Sequence, residues 1–151
     1  MTELSPENIN VSTWKIPSPL GIIGSHANGE FNGMTASWFT QISMDPALIG
    51  VGIDNKSVTF SLMDQSEYFT LNMFSPEYTK VFVKFSKPAE YTDGFLNKEP
   101  IFLTENKVPV FENATVWFEL KTTQKIDFGT HTLFVGEIVD CKTLNPEERV
   151  A

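Results

Sequence analysis

The sequence predicts a mainly-β domain, a barrel or a sandwich, with two or three short helices. Two observations carry that prediction. Short runs of alternating or β-branched apolar residues recur along most of the chain, set apart by Gly, Pro and Asn-Gly turn signals. Only two segments suit a helix, one by its cap and one by an apolar face of helical period. No repeat or linker interrupts the pattern, so residues 1–151 read as one domain with a core at about 15–144 and a loosely held polar tail, "NPEERVA".

The run 20–27, "LGIIGSHA", is the first strand. It ends at Asn28-Gly29, a pair suited to a type I′ hairpin turn because both central residues need positive φ. His26 falls in this probable turn. The second strand runs through "TASWFTQIS", 35–43, with Trp38 and Ile42 on one face. Asp45-Pro46 breaks the pairing, and "ALIGVGI" is a buried third strand. A helix follows in "SVTFSLMDQS", capped by Ser57. In "YFTLNMF", 68–74, Phe69, Leu71 and Met73 share a face, and the polar Asn72 is expected to bond backbone. The second helix is "SPEYTKVFVKFS". Ser75 caps it, Pro76 suits its first turn and Glu77 complements its dipole. Tyr78, Val81, Phe82 and Phe85 form its apolar face. Residues 87–111 read as mostly loop. Two long strands, 115–126 and 130–144, flank Asp127-Phe128-Gly129.

Charge and composition narrow the function classes. Nineteen acids against eleven bases give a net charge of −8, which argues against general nucleic-acid binding and polybasic membrane docking. Thirteen phenylalanines call for a thick aromatic core or a partner that covers aromatic rings. One cysteine, Cys141, excludes an intramolecular disulfide. His26, His131 and Cys141 lack the spacing of a metal site, so no metal is expected. The N-terminus lacks a signal-peptide pattern and no apolar run is long enough to span a bilayer, so a soluble cytoplasmic protein is expected. There is no Gly-X-Ser-X-Gly elbow, and "GVGIDN" lacks the third glycine of a dinucleotide fingerprint.

Four stretches have chemistry to offer. Thr35, Ala36 and Ser37 precede Trp38 and would let backbone approach the edge of a planar heterocycle; an ordinary strand with Trp38 in the core fits the pattern too. In "DNKSVT", Lys56, Ser57 and Thr59 at a helix start suit a phosphate, or simply an N-cap with an exposed lysine. His131, after Gly129, is either a ligand contact or a half-buried strand histidine. Lys84, Ser86 and Lys87 make a small basic spot near a helix C-terminus.

Taken together, "NGMTASWFTQISMDPALIGVGIDNKSVTFSLMDQSEYFTLNMFS" and "GTHTLFVGEIVDCK" resemble the flavin reductase-like, FMN-binding split-barrel family, over about 17–142. The resemblance implies a Greek-key split barrel that forms a homodimer, with flavin near the subunit interface. It implies that Thr35, Ala36, Ser37 and Trp38 border the isoalloxazine, and that Asn55, Lys56, Ser57 and Thr59 lie near the ribityl phosphate. It implies that His131 sits by flavin and nicotinamide, and that Phe85 and Ser86 touch the cofactor. Lys56 stands where many members carry arginine, and lysine supplies charge without a bidentate fork. The implied function is an FMN-dependent oxidoreductase, with FAD possible, that takes hydride from NAD(P)H. Its electrons would leave as reduced flavin for a monooxygenase or pass to a small redox protein. A flavin-storing protein without efficient reductase activity is the alternative.

Overall fold

In a computed structural model, which describes residues 4–151, seven strands form one antiparallel sheet. The first three residues of the segment read above for a signal peptide lie outside the described residues. The strands are β1 (Gly21–Ala27), β2 (Glu30–Ala36), β3 (Phe39–Met44), β4 (Ala47–Asp54), β5 (Tyr68–Met73) and, after four short strands described below, β10 (Val116–Asp127) and β11 (His131–Thr143). Their spatial order is β2-β1-β5-β10-β11-β4-β3.

That order forces the sheet to roll up. Laid flat, it would hold its edge strands β2 and β3 about 29 Å apart, six spacings of about 4.8 Å. Yet β2 and β3 follow each other in the chain, joined only by Ser37 and Trp38. Ala36 to Phe39 spans at most about 11 Å. The two edges must therefore meet at this corner, and the sheet closes into a barrel. This corrects the reading of 35–43 as one strand. Apolar alternation runs unbroken through the corner, so the pattern carries no mark of the change of edge. Asp45-Pro46 does not end the pairing either; it is the turn of the β3–β4 hairpin, with Met44 opposite Ala47.

Alternation sorts the side chains. Ile23, Val51, Ile53, Phe69, Leu71, Leu120 and Phe134 fill the barrel interior. β1 is buried on both faces, because Ile22 points away from Ile23 into a second core. There Phe74, Phe82, Phe85 and Phe111 meet edge to face, at centroid distances of 5.0 to 5.9 Å. This cluster absorbs much of the phenylalanine excess. Asn72 belongs to the same layer and bonds backbone as expected. Its Nδ2 donates to the Ile22 carbonyl at 3.0 Å and its Oδ1 accepts from the Phe111 amide at 3.1 Å.

The second core is covered by a piece the sequence reading left as loop. Residues 87–111 hold a four-stranded sheet of β6 (Tyr91–Thr92), β7 (Phe95–Leu96), β8 (Glu99–Leu103) and β9 (Pro109–Phe111). Its strands are too short to display a period. His26 lies within β1 rather than in a turn, and stacks on its cross-strand partner Phe31 at 4.5 Å. Partial burial, aided by the charge of Lys107, holds the His26 ring below its ordinary pKa and favours the neutral form.

Three helices decorate the barrel. α2 (Val58–Asp64) starts where expected, with Ser57 Oγ accepting from the Phe60 amide at 3.0 Å. α3 is shorter than its apolar face predicts, Lys80–Lys84 only. Ser75 Oγ binds both the carboxylate and the amide of Glu77, and Tyr78 is drawn off by the buried Glu99 carboxylate at 2.9 Å. The first turn is thereby spent on other partners. α1 (Pro6–Thr13) was not foreseen at all. The C-terminal tail is tied down rather than loose: the Ala151 amide donates to the Phe74 carbonyl, and its own carbonyl accepts from the Leu20 amide.

Candidate functional site

The barrel corner opens onto a cavity of about 1270 Å³. Thr35, Ala36, Ser37 and Trp38 form one wall, Gly52, Asp54 and His131 another, and α1 with the segment behind it a third. The site thus sits where the two sheet edges meet.

The corner leaves donors unused. Ser37 and Trp38 belong to no ladder, and neither amide finds a partner among the described residues. The Ser37 hydroxyl is equally unengaged, and the side chains of Ala36 and Ser37 are small. Thr35 is different. Its hydroxyl donates to the Phe82 carbonyl at 2.6 Å and its amide to the Phe85 carbonyl at 3.0 Å, so it fixes α3 to the corner. Trp38 is not a core residue; 59% of it is exposed. Its carbonyl accepts from the Gly52 amide at 2.8 Å, and its ring lies 4.6 Å from that of His131, tilted by 46°.

His131 is the cross-strand partner of Asp54 at the end of the β4–β11 ladder. Its Nδ1 pairs with Thr130 Oγ1 at 2.9 Å, which leaves Nε2 without a partner among the described residues. The Asp54 carboxylate accepts from the Lys56 amide at 2.9 Å, capping the turn into α2.

The residues expected around a phosphate divide sharply. Asn55 is a clasp: its Nδ2 donates to Asp127 and to the Gly129 carbonyl, and its Oδ1 accepts from the Thr132 hydroxyl. The Ser57 hydroxyl is consumed by the cap and by the Asp54 carbonyl. Thr59 is fully buried, accepting from Asn32 Nδ2 at 3.0 Å, and its side chain is closed to any ligand. Only Lys56, exposed and without an ion pair, keeps a free charge, two residues beyond Asp54. Phe85 is likewise fully buried, against Phe111, and touches the site only through its carbonyl on Thr35. The Ser86 hydroxyl turns back onto the Val83 carbonyl. Lys84 pairs with buried Glu99 at 2.8 Å rather than standing as an open basic spot.

Several lining residues escaped the sequence reading: Ile9, Asn10, Thr13 and Trp14 on or next to α1, and Asp54. The α1 group carried a signal. Ser5-Pro6-Glu7 repeats the triplet noticed at Ser75-Pro76-Glu77, and here it does start a helix, with Ser5 Oγ accepting from the Asn8 amide. Among the described residues no cluster of His, Cys, Asp or Glu could hold a metal ion, and no helix is long and apolar enough to cross a membrane.

A mainly-β barrel with a site at its closing corner is the architecture of a known group. The model of the flavin reductase like domain matches residues 13–150, and the chain belongs to that family. Over 141 residues it is 31% identical to a ferric-chelate reductase (NAD(P)H) of Archaeoglobus fulgidus, covering 89% of this chain and 81% of that one. Over 122 residues it is 31% identical to the reductase subunit of a stachydrine N-demethylase of Rhizobium meliloti, covering 81% of this chain. The chain spans about half of that relative's length, 52%. An NADH:FAD oxidoreductase of Streptomyces globisporus shares the fold, with a TM-score of 0.81 at 20% identity over 99% of this chain and 91% of that one.

Proposed function

We propose that this chain, read as a single domain, is an FMN-dependent reductase that takes hydride from NAD(P)H. The observation that carries the reading is the pair of unpartnered amides at Ser37 and Trp38, flanked by small side chains inside a cavity large enough for a tricyclic ring. A flavin's pyrimidine edge is rich in acceptors, and such a donor set fits it. Bound flavin supplies the redox chemistry, accepting hydride and passing electrons on. The chain's own part is placement. Ser37 and Trp38 hold the ring edge, and Trp38 walls the ring. His131, fixed through Nδ1 by Thr130, orients the nicotinamide or holds a proton at Nε2. Lys56 offers the charge for a phosphate, which FAD would provide as well as FMN.

The same reading includes a homodimer. The outer face of β3, β4 and β11 carries an apolar patch: Ile42 and Leu133 close over Gly50, and Ile42 and Met44 are exposed. This face runs on into the cavity through Gly52 and Trp38. The electrons leave as reduced flavin for a monooxygenase, or go to a small redox protein, in the cytoplasm. The name of the Rhizobium relative, the reductase subunit of a demethylase, supports a protein partner as acceptor.

The purified chain mixed anaerobically with FMN and NADH or NADPH is expected to bleach the flavin absorbance catalytically. Tight FMN binding with no bleaching by either nucleotide would instead mark a flavin store. Replacing His131 with asparagine is expected to slow reduction about a hundredfold, as misplacement of a reactant does. The bound-flavin spectrum should stay unchanged. Loss of flavin or of fold in that variant would make His131 structural.

A further inference from the structure

The third wall of the cavity belongs to none of the residues so far given a role. α1 buries none of its residues against the barrel, and Trp14, just past its end, is 81% exposed. An exposed tryptophan on the wall of a mainly apolar cavity is costly to leave uncovered, since it withholds a large apolar area from burial. α1 is nonetheless held at the cavity. A turn follows it, with the Lys15 and Ile16 amides donating to the Ser12 and Thr13 carbonyls. The strap Pro17-Ser18-Pro19 is stiffened by its prolines, and Leu20 is pinned to the Ala151 carbonyl. The cavity, at about 1270 Å³, exceeds what a single small ligand of roughly 300–1,000 Å³ needs. The α1 wall and the barrel corner thus line one and the same cavity.

We infer that Trp14 is a flavin-binding residue: α1 closes on the isoalloxazine and the Trp14 indole covers the ring from the side away from the barrel corner. This rests on the flavin reading of the site and adds a part to it. The barrel corner recognises the edge of the ring, whereas Trp14 recognises its flat surface. Ile9 and Asn10, about one turn back, line the same cavity wall as the indole. Stacking of this kind ignores the phosphate, so it serves riboflavin and FMN alike.

The test compares dissociation constants for FMN and riboflavin, read by quenching of flavin fluorescence, with trypsin cleavage after the exposed Lys15. Trp14→Ala is expected to weaken both ligands by a similar factor, about tenfold, the scale of aromatic stacking on a planar base. Trp14→Phe should keep binding within about threefold. Saturating FMN should slow cleavage after Lys15 in the unaltered chain. If Trp14→Ala binds FMN like the parent, the inference fails and the flavin reading stands. It also fails if cleavage ignores FMN, or slows with protein concentration instead, which would put α1 against a second copy of the chain. If the unaltered chain binds no flavin, both fall together.

Discussion

Replacing Ser37 with leucine is expected to abolish flavin binding in a protein that still folds. Ser37 sits on the two-residue corner, half-buried, with neither its amide nor its hydroxyl engaged by any described residue. A larger side chain meets open cavity rather than packed core, so thermal stability should change by less than about 1 kcal/mol. The ligand, however, would be held back from the Ser37 and Trp38 amides. Losing two hydrogen bonds, each worth about 0.5–1.5 kcal/mol, and the packing between them corresponds to about a hundredfold in affinity. A Ser37→Leu protein that binds FMN within about threefold of the parent would remove the corner from the site. Ser37→Ala is the control. It keeps the amide and the space, and should bind nearly as well.

The second large effect falls on the fold. Gly24 lies in β1 against β5, and a Cβ built there would stand 2.3 Å from Thr70 Oγ1 and 2.4 Å from the Pro109 carbonyl oxygen. Those two atoms are joined by a buried hydrogen bond of 2.6 Å, which ties the small sheet to the barrel. Gly24→Ala must break that bond or push β9 outward. Overpacking costs about 1–3 kcal/mol, and a buried polar group left unpaired about the same again. Against a total stability of about 5–15 kcal/mol, the variant should melt roughly 10 °C lower or fail to accumulate. Denaturant unfolding measures it directly. A loss below about 1 kcal/mol would mean that the two sheets part easily here.

Much of this fold was legible because each long strand announces itself twice, by its period and by its turns. Asn28-Gly29, with φ of 51° and 80°, is one such turn between two seven-residue strands. Asp93-Gly94 has the same geometry, φ 45° and 84°, but its strands are two residues long and show no alternation to confirm it. The small sheet was missed for that reason. The two Ser-Pro-Glu triplets teach a related lesson. A cap motif proposes a helix, and distant partners such as Glu99 decide whether it begins there. At the site, Thr35 to Trp38 and His131 line one cavity. Thr59 and Phe85 do not face the cavity, since a motif records position along the chain and not the direction of a side chain. Asp54 opened the stretch "DNKSVT" but was given no role, and Trp14 was passed over, because nothing local marks the importance that comes from what folds across from a residue.

The two-residue corner has a bearing on how the protein reaches its active state. Ser37 and Trp38 acquire their positions only when the first and last edges of the sheet come together. Before that, the two amides are part of an ordinary flexible link and have no fixed relation to each other or to His131. A partly assembled sheet therefore has no flavin affinity to offer, and the ligand selects the closed state alone. Bound flavin then adds its full binding free energy to stability, RT ln(1 + [L]/Kd), because no open form competes for it. Flavin uptake during refolding should accordingly appear in one step with barrel closure. That makes the cofactor a reporter of barrel closure, between strands that are neighbours in sequence and opposite ends of the sheet.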